Sequence, residues 1–315
     1  MTLLSAPFHA DERGAQQLSG YGFSAGAIRD QMPEQHRSFF EGLSYVMVGV
    51  LDEQGWPIAT LLTGAPGFIR SPDPATLAFR ALPSAVDPAM PGLAMSHDVA
   101  LLGIDLAMRR RNRANGTVVA ADGAGFAMHV EQSFGNCPQY IHRRRTKGVN
   151  RIPGPLERSS GLDEAARALI ASADTFFVAS RSRSGIHEVG RVDISHRGGP
   201  PGFVTTGAHG DLIVPDYRGN RYFNTLGNLL GDPRAALLFI DFERGDLLQL
   251  QGRVTIDWSR GNAAAQPPVA PMPATAAMLA KPAPAAERTW RFRVHASWRR
   301  IAAIPLNWEL IEHTR

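Results

Sequence analysis

Ala100-Leu101-Leu102-Gly103-Ile104-Asp105-Leu106 comes back as Ala236-Leu237-Leu238-Phe239-Ile240-Asp241-Phe242, 136 residues further along the chain. Asn115-Gly116-Thr117-Val118 matches Gln251-Gly252-Arg253-Val254 at the same spacing of 136, and Gly64-Ala65-Pro66-Gly67-Phe68-Ile69 matches Gly199-Pro200-Pro201-Gly202-Phe203-Val204 at 135. Leu-Leu-x-Ile-Asp alone is ordinary strand composition. The Pro-Gly-Phe turn and the later glycine also fall in register, so the three matches together point to an internal duplication.

Each copy reads as strands. Tyr45-Val46-Met47-Val48-Gly49-Val50, the turn Asp52-Glu53-Gln54-Gly55 and Ile58-Ala59-Thr60-Leu61-Leu62 make a hairpin signature. Thr175-Phe176-Phe177-Val178-Ala179, the turn Arg181 to Gly185 and Arg191-Val192-Asp193-Ile194-Ser195 repeat it. Trp290 to His295 alternates again, and Ile301 to Leu306 suggests a last strand. Leu162 to Ser172 reads as a short amphipathic helix with Ser160 as N-cap. The expected organisation is a leader with a short helix or two (1–37), a first unit (38–145), a connection (146–169) that continues the basic stretch from His142 to Arg151, and a second unit (170–315). An Ala/Pro-rich loop, 261–287, interrupts the second unit between two strands. The fold class is mainly β: two tandem antiparallel barrels or sandwiches with few helices.

Composition narrows the function. The 315 residues carry one cysteine, Cys137, which excludes an intrachain disulfide and a Cys-based metal site, and fits a reducing, cytoplasmic setting. Met1 to Ala10 lacks a signal-peptide pattern, and no apolar run is long enough to span a membrane, so no membrane partner is expected. The net charge of +4 and pI of about 9.6 suit nucleic acid, a membrane surface or an anionic small molecule. Arg109-Arg110-Arg111-Asn112-Arg113 and Arg143-Arg144-Arg145 are the case for nucleic acid, but neither has interleaved aromatics. The first run reads as solvated hairpin charge. The ten histidines show no paired metal spacing, and Asp193, Ser195 and His196 share one strand without a nucleophile elbow, which argues against a metal site and a hydrolase.

Two runs carry candidate chemistry. Asp193-Ile194-Ser195-His196-Arg197-Gly198-Gly199 ends a strand in a glycine-rich turn, where backbone N–H groups and Arg197 can approach an anion. Asn220-Arg221-Tyr222-Phe223-Asn224-Thr225-Leu226 enters a short helix, with Asn224 as N-cap and Asp232-Pro233 as the stop; a phosphate at that helix start would meet free N–H groups and Arg221.

These strings, with Asp232 to Asp241 and Phe134-Gly135-Asn136-Cys137-Pro138-Gln139-Tyr140-Ile141, resemble the pyridoxamine 5′-phosphate oxidase-like family of FMN-binding split barrels. The resemblance covers most of 38–145 and 170–258. It implies two split β-barrel units forming a pseudo-dimer, with FMN in the groove between them. It implies that Arg197, Arg221, Asn224 and Thr225, with Asn220, hold the phosphate and ribityl chain. Backbone of Asp193, Ile194 and Ser195 faces the ring, and Asn136 and Tyr140 close over it from the first unit. Phe223-Asn224-Thr225 stands where the true oxidase has a basic Ser-Arg-Lys signature, which leaves the substrate undefined. The first unit has only a Pro-rich stretch at 81–98 for the Asn220–Thr225 run, so it is expected to be degenerate. The implied function is an FMN-dependent oxidoreductase with a small-molecule substrate or electron donor, with a homodimer open. No catalytic acid or base is identified; His196 is the nearest candidate. A non-catalytic flavin or haem carrier or sensor is the alternative, and a nucleic-acid-binding protein a more distant one.

Overall fold

The computed structural model describes residues 2–4, 6–22, 27–183, 192–259 and 284–311. The first sheet has the strands β1 (Tyr45–Leu51), β2 (Pro57–Thr63), β3 (Ile69–Arg70), β4 (Thr76–Phe79), β5 (Asp98–Asp105), β6 (Arg110–Ala121) and β7 (Phe126–Gly135). After β8 (Arg144–Gly148) and β9 (Leu156–Ser159), the second has β10 (Thr175–Arg181), β11 (Val192–Gly198), β12 (Thr205–Thr206), β13 (Leu212–Tyr217), β14 (Arg234–Ile240), β15 (Leu247–Asp257) and β16 (Ala286–Arg300). A last strand, β17 (Leu306–Leu310), pairs with β8. The helices are α1 (Ala10–Leu18), α2 (Glu34–Glu41), α3 (Glu164–Ser172) and α4 (Asn224–Gly231).

The two sheets have one topology. The first runs β2-β1-β5-β6-β7-β4-β3 and the second β11-β10-β14-β15-β16-β13-β12, strand for strand the same path. Registers coincide too: Met47 faces Leu102 as Phe177 faces Leu238, and Ala100 faces Asn115 as Ala236 faces Gln251. Both sheets are split barrels.

Each sequence match has a structural cause. In both Gly-x-Pro-Gly-Phe copies the Phe N–H donates to the carbonyl three residues back (Phe68 to Ala65, Phe203 to Pro200). Proline sits at the second turn position, and the glycine behind it has φ of 89° or 77°, as a type II turn requires. Gly116 and Gly252 both mark a β-bulge. A Cβ on Gly116 would lie 1.8 Å from the His129 carbonyl oxygen, and one on Gly252 2.3 Å from that of Arg293.

The central strands are unbroken apolar runs because both their faces are buried. Val46, Val48 and Val50 fill the first barrel, whereas Tyr45 and Met47 face the second. Phe176 and Val178 fill the second barrel, whereas Phe177 and Ala179 face the first. Leu102, Ile104, Leu238 and Ile240 complete this third core between the barrels. Each fully buried side chain of this kind contributes on the order of 2 kcal/mol, so the barrels form a permanent pair.

Several local expectations change. The N-cap of α3 is Asp163, whose carboxylate accepts from the Ala166 N–H, and not Ser160. The final strand begins at Leu306 and not at Ile301, which lies in a turn. The stretch 146–169 carries β9, which pairs with β16. The loop expected at 261–287, and the turn after Arg183, lie largely outside the described residues.

His36 on α2 is buried, with Nδ1 2.8 Å from Ser133 Oγ. Burial, helped by the Arg29 and Arg110 cations, lowers its pKa from 6.5 to about 4. Held neutral in the fold, it contributes stability that is present above pH 6.5 and is lost as pH falls toward 4. A titration of Tm from pH 7 downward is expected to show this loss, worth up to about 3 kcal/mol. His36→Gln is expected to reduce it, leaving the share of His196, which burial likewise holds neutral. Glu12, a buried carboxyl raised by burial, works in the opposite sense over part of that range, so the difference between wild type and variant isolates the histidine.

Candidate functional site

β11 is an edge strand, so one side of its backbone is unclaimed by the sheet ladder. Its alternation sends Val192 and Ile194 into the core between the barrels, and turns Asp193, Ser195 and Arg197 to the other face. Beyond that face, the chain turns sharply into α4. Arg221 (φ 64°) and Phe223 (φ 60°) are both left-handed, and so is Tyr140 (φ 62°), which approaches from the first barrel. Three of the six non-glycine residues with positive φ among the described residues thus surround one cleft, each at a cost of roughly 1–3 kcal/mol. Tyr140 presses so closely on β11 that a Cβ at Gly198 would lie 2.1 Å from its carbonyl oxygen.

The seam between the barrels is polar here. Arg113, on β6, is 4% exposed and reaches across to the second barrel. It donates to Asp193 Oδ1 at 2.7 Å, to Ser195 Oγ at 2.7 Å and to Asn224 Oδ1 at 3.3 Å. Thr225 Oγ1 donates to Ser195 Oγ at 2.8 Å. Arg111, two residues back on the same strand face, lies with Nη1 2.8 Å from His196 Nδ1. A guanidinium only donates, so Nδ1 accepts and the imidazole carries its proton on Nε2. Burial first, and the Arg111 cation second, hold His196 neutral, with its pKa well below the ordinary range. Burial and the neighbouring Arg113 cation lower the Arg111 pKa to about 10.

The far wall holds Arg197 and Arg288, which both donate to Asp216, at 3.0 and 2.8 Å. Arg221 stacks on the Tyr21 ring, 3.8 Å from its centroid. Phe203, Tyr217 and Tyr140 form an aromatic wall, with neighbouring ring centroids 5.4–6.3 Å apart.

The leader completes the site. Helix α1 packs on α4 at Gly227 and Gly231; a Cβ at Gly227 would lie 2.5 Å from the Glu12 Cα. The buried Glu12 carboxylate accepts from Asn224 Nδ2, and His9 Nε2 lies 2.8 Å from Asn228 Oδ1. Burial raises the Glu12 pKa.

Residues 162–298 match the family model described as pyridoxamine 5′-phosphate oxidase. The second barrel belongs to the pyridoxamine 5′-phosphate oxidase-like family. No curated protein matches the chain. Solved structures similar to it include HupZ from Group A Streptococcus, at 15% identity and TM-score 0.27, covering 33% of this chain and 94% of that one. A FAD-binding protein from Mesorhizobium loti matches at 10% and 0.29, covering 46% and 97%. The heme storage protein HutZ from Vibrio cholerae matches at 10% and 0.28, covering 42% and 90%.

In this pyridoxamine 5′-phosphate oxidase-like barrel, Ser195, His196, Arg197, Asn220, Arg221, Asn224 and Thr225 line one cleft, and Asn136 and Tyr140 line it from the first barrel. Asp193 lies beneath that surface, paired with Arg113, and Ile194 points away into the core. Asn224 is the first residue of α4 and not its cap; the cap position is Phe223, which has no side-chain bond to make. Arg111 and Arg113 are functional-site candidates that the solvated-hairpin reading of their run missed. Their signal was the i, i+2 spacing, which puts both on one strand face. Arg144, in the second basic run, is also buried, 2.6 Å from Asp174. Among the described residues, no group of three or more His, Cys, Asp or Glu is placed to hold a metal ion, and no helix is long and apolar enough to cross a membrane.

The cleft fits a phosphorylated aromatic cofactor. Arg111 Nε, Arg197 Nε, Asn136 Nδ2 and His196 Nε2 are buried without a hydrogen-bond partner. Buried donors of this kind are costly unless something accepts from them. Among the described residues, five arginines line the cleft, with Asp216 and Glu287 as its acidic lining residues, beside an aromatic wall suited to a flat ring.

Proposed function

We propose that the seam cleft binds FMN and that the chain is a flavin-dependent oxidoreductase acting on a small molecule. The observation that carries this is the convergence of unpartnered buried donors, excess arginine charge and aromatic rings from both barrels on a family barrel's edge strand. Arg197, Arg221, Asn224 and Thr225 would hold the phosphate and ribityl chain. The unclaimed edge of β11 would face the ring, and Asn136 and Tyr140 would cover it. Bound flavin would supply the electron chemistry, and the protein's part is to bind, orient and shield it. His196, kept neutral by burial and by Arg111, would act as an N–H donor from Nε2 and is unsuited to be a base.

A visible absorption spectrum of the purified protein, with mass identification of what heating releases, tests this. The expected result is an oxidised-flavin spectrum and released FMN. Bleaching by a reduced nicotinamide, followed by reoxidation in air, is expected of the oxidoreductase; flavin that no such donor reduces would favour a carrier. A haem spectrum, or a colourless protein that ignores added FMN, would overturn the reading.

A further inference from the structure

The duplication gives the seam two ends. The cleft at one end is built on β11 and α4 and is walled by β6 and β7. Its counterpart at the other end is built on β2 and the loop after β4, and is walled by β15 and β16. Pairing registers make the positions correspond: Thr60 stands for Ser195, Gln249 for Arg113 and Arg300 for Asn136. Counting 136 residues forward from Asp87 and Ala89 gives Phe223 and Thr225, at the start of α4. A single 3-10 turn, Met90–Leu93, stands there in place of that helix.

At this second end an anion is already bound, and it is a side chain. The Asp87 carboxylate is fully buried. It accepts from Thr60 Oγ1 at 2.6 Å, Gln249 Nε2 at 2.9 Å, Arg300 Nη1 at 2.6 Å and the Ala89 N–H at 2.9 Å. These donors come from both barrels, from the positions that face the open cleft at the other end. Leu61 and Leu62 stand where His196 and Arg197 stand, so the counterpart is apolar at two of the positions that line the open cleft. A shallow groove between residues 85–94 and Ala121-Asp122 lies over the buried Asp87.

We infer that the second end of the seam is an oxyanion receptor of the same design as the open cleft, permanently filled by Asp87. Removing that carboxylate exposes a site for a small oxyanion such as inorganic phosphate. Among the described residues, the duplicated seam therefore offers one cofactor cleft; that count rests on the flavin reading, whereas the receptor does not.

The test is Asp87→Gly, melted in chloride and in inorganic phosphate of equal ionic strength, beside wild type. In chloride, the variant is expected to melt roughly 10 °C lower, because Arg300, with its side chain 11% exposed, is left unpaired. In phosphate, it is expected to recover at least half of that loss, with saturation, over and above the response that the open cleft and general salting give wild type and variant alike. Adding Arg300→Gln to Asp87→Gly is expected to abolish the gain. If Asp87→Gly does not fold in chloride, its folded yield on refolding from urea in phosphate against chloride reads the same rescue. A phosphate response no larger than that of wild type, in melting and in refolding, would overturn the inference. Neither readout involves flavin, so a protein that fails to bind FMN leaves this result intact.

Discussion

Replacement of Arg113 by Ala is expected to remove about 3–5 kcal/mol of stability and to abolish the proposed flavin binding. Asp193 is the reason for the first effect. It is buried, and Arg113 is its counter-charge across the seam, at 2.7 Å. Without the guanidinium, a carboxylate remains in the interior with only the weak contacts from Asn115 Nδ2 and Ser195 Oγ, both 3.4 Å. Ser195 and Asn224 also lose the donor that fixes their orientation. Arg113→Ala/Asp193→Ala is expected to regain much of the lost stability, because no charge is left unpaired, while flavin affinity stays low. Chemical denaturation gives the first quantity and flavin titration the second. Wild-type affinity in Arg113→Ala would show that the first barrel does not serve the cleft.

Gly116→Ala is expected to cost about 3 kcal/mol, at the upper end for overpacking. The added methyl meets backbone, 1.8 Å from the His129 carbonyl oxygen, where no side-chain rotation gives relief. The same bulge occurs at Gly252, so Gly252→Ala should fail in the same way, its methyl 2.3 Å from the Arg293 carbonyl oxygen and 2.6 Å from the Phe292 ring. Gly123→Ala is the control, since nothing lies within 4 Å of its added Cβ, and it should change stability by less than about 1 kcal/mol. Urea denaturation of the three variants checks the set. Near-neutral behaviour at Gly116 or Gly252 would mean that the shared glycines do not have a shared structural cause.

The strands were readable from sequence because burial on both faces leaves continuous apolar runs such as Tyr45 to Val50 and Ala235 to Ile240, bounded by Gly/Pro turns. The duplication was readable because its matches sit where the backbone tolerates little: a type II turn, a bulge glycine and a doubly buried strand. The second barrel's share of the cleft could be read because its polar residues lie close together in the chain. The first barrel's share could not. Arg111 and Arg113 belong to a five-residue basic run, and charge on a hairpin is usually solvated; only the partner across the seam makes it interior. The contribution of α1 was hidden for the same reason, since Gly227 and Gly231 reveal a helix contact only once α1 is placed against them. Asp87 was equally silent, lying in a Pro-rich loop that reads as filler.

The covalent joining of the two barrels frees the cleft from mass action. A groove assembled from separate copies would come apart on dilution and carry every substitution twice. Here the opposing wall is held on the same polypeptide at a fixed, high local concentration. Ligand affinity is thus set within a single molecule, and natural selection can reshape one end of the seam without disturbing the other.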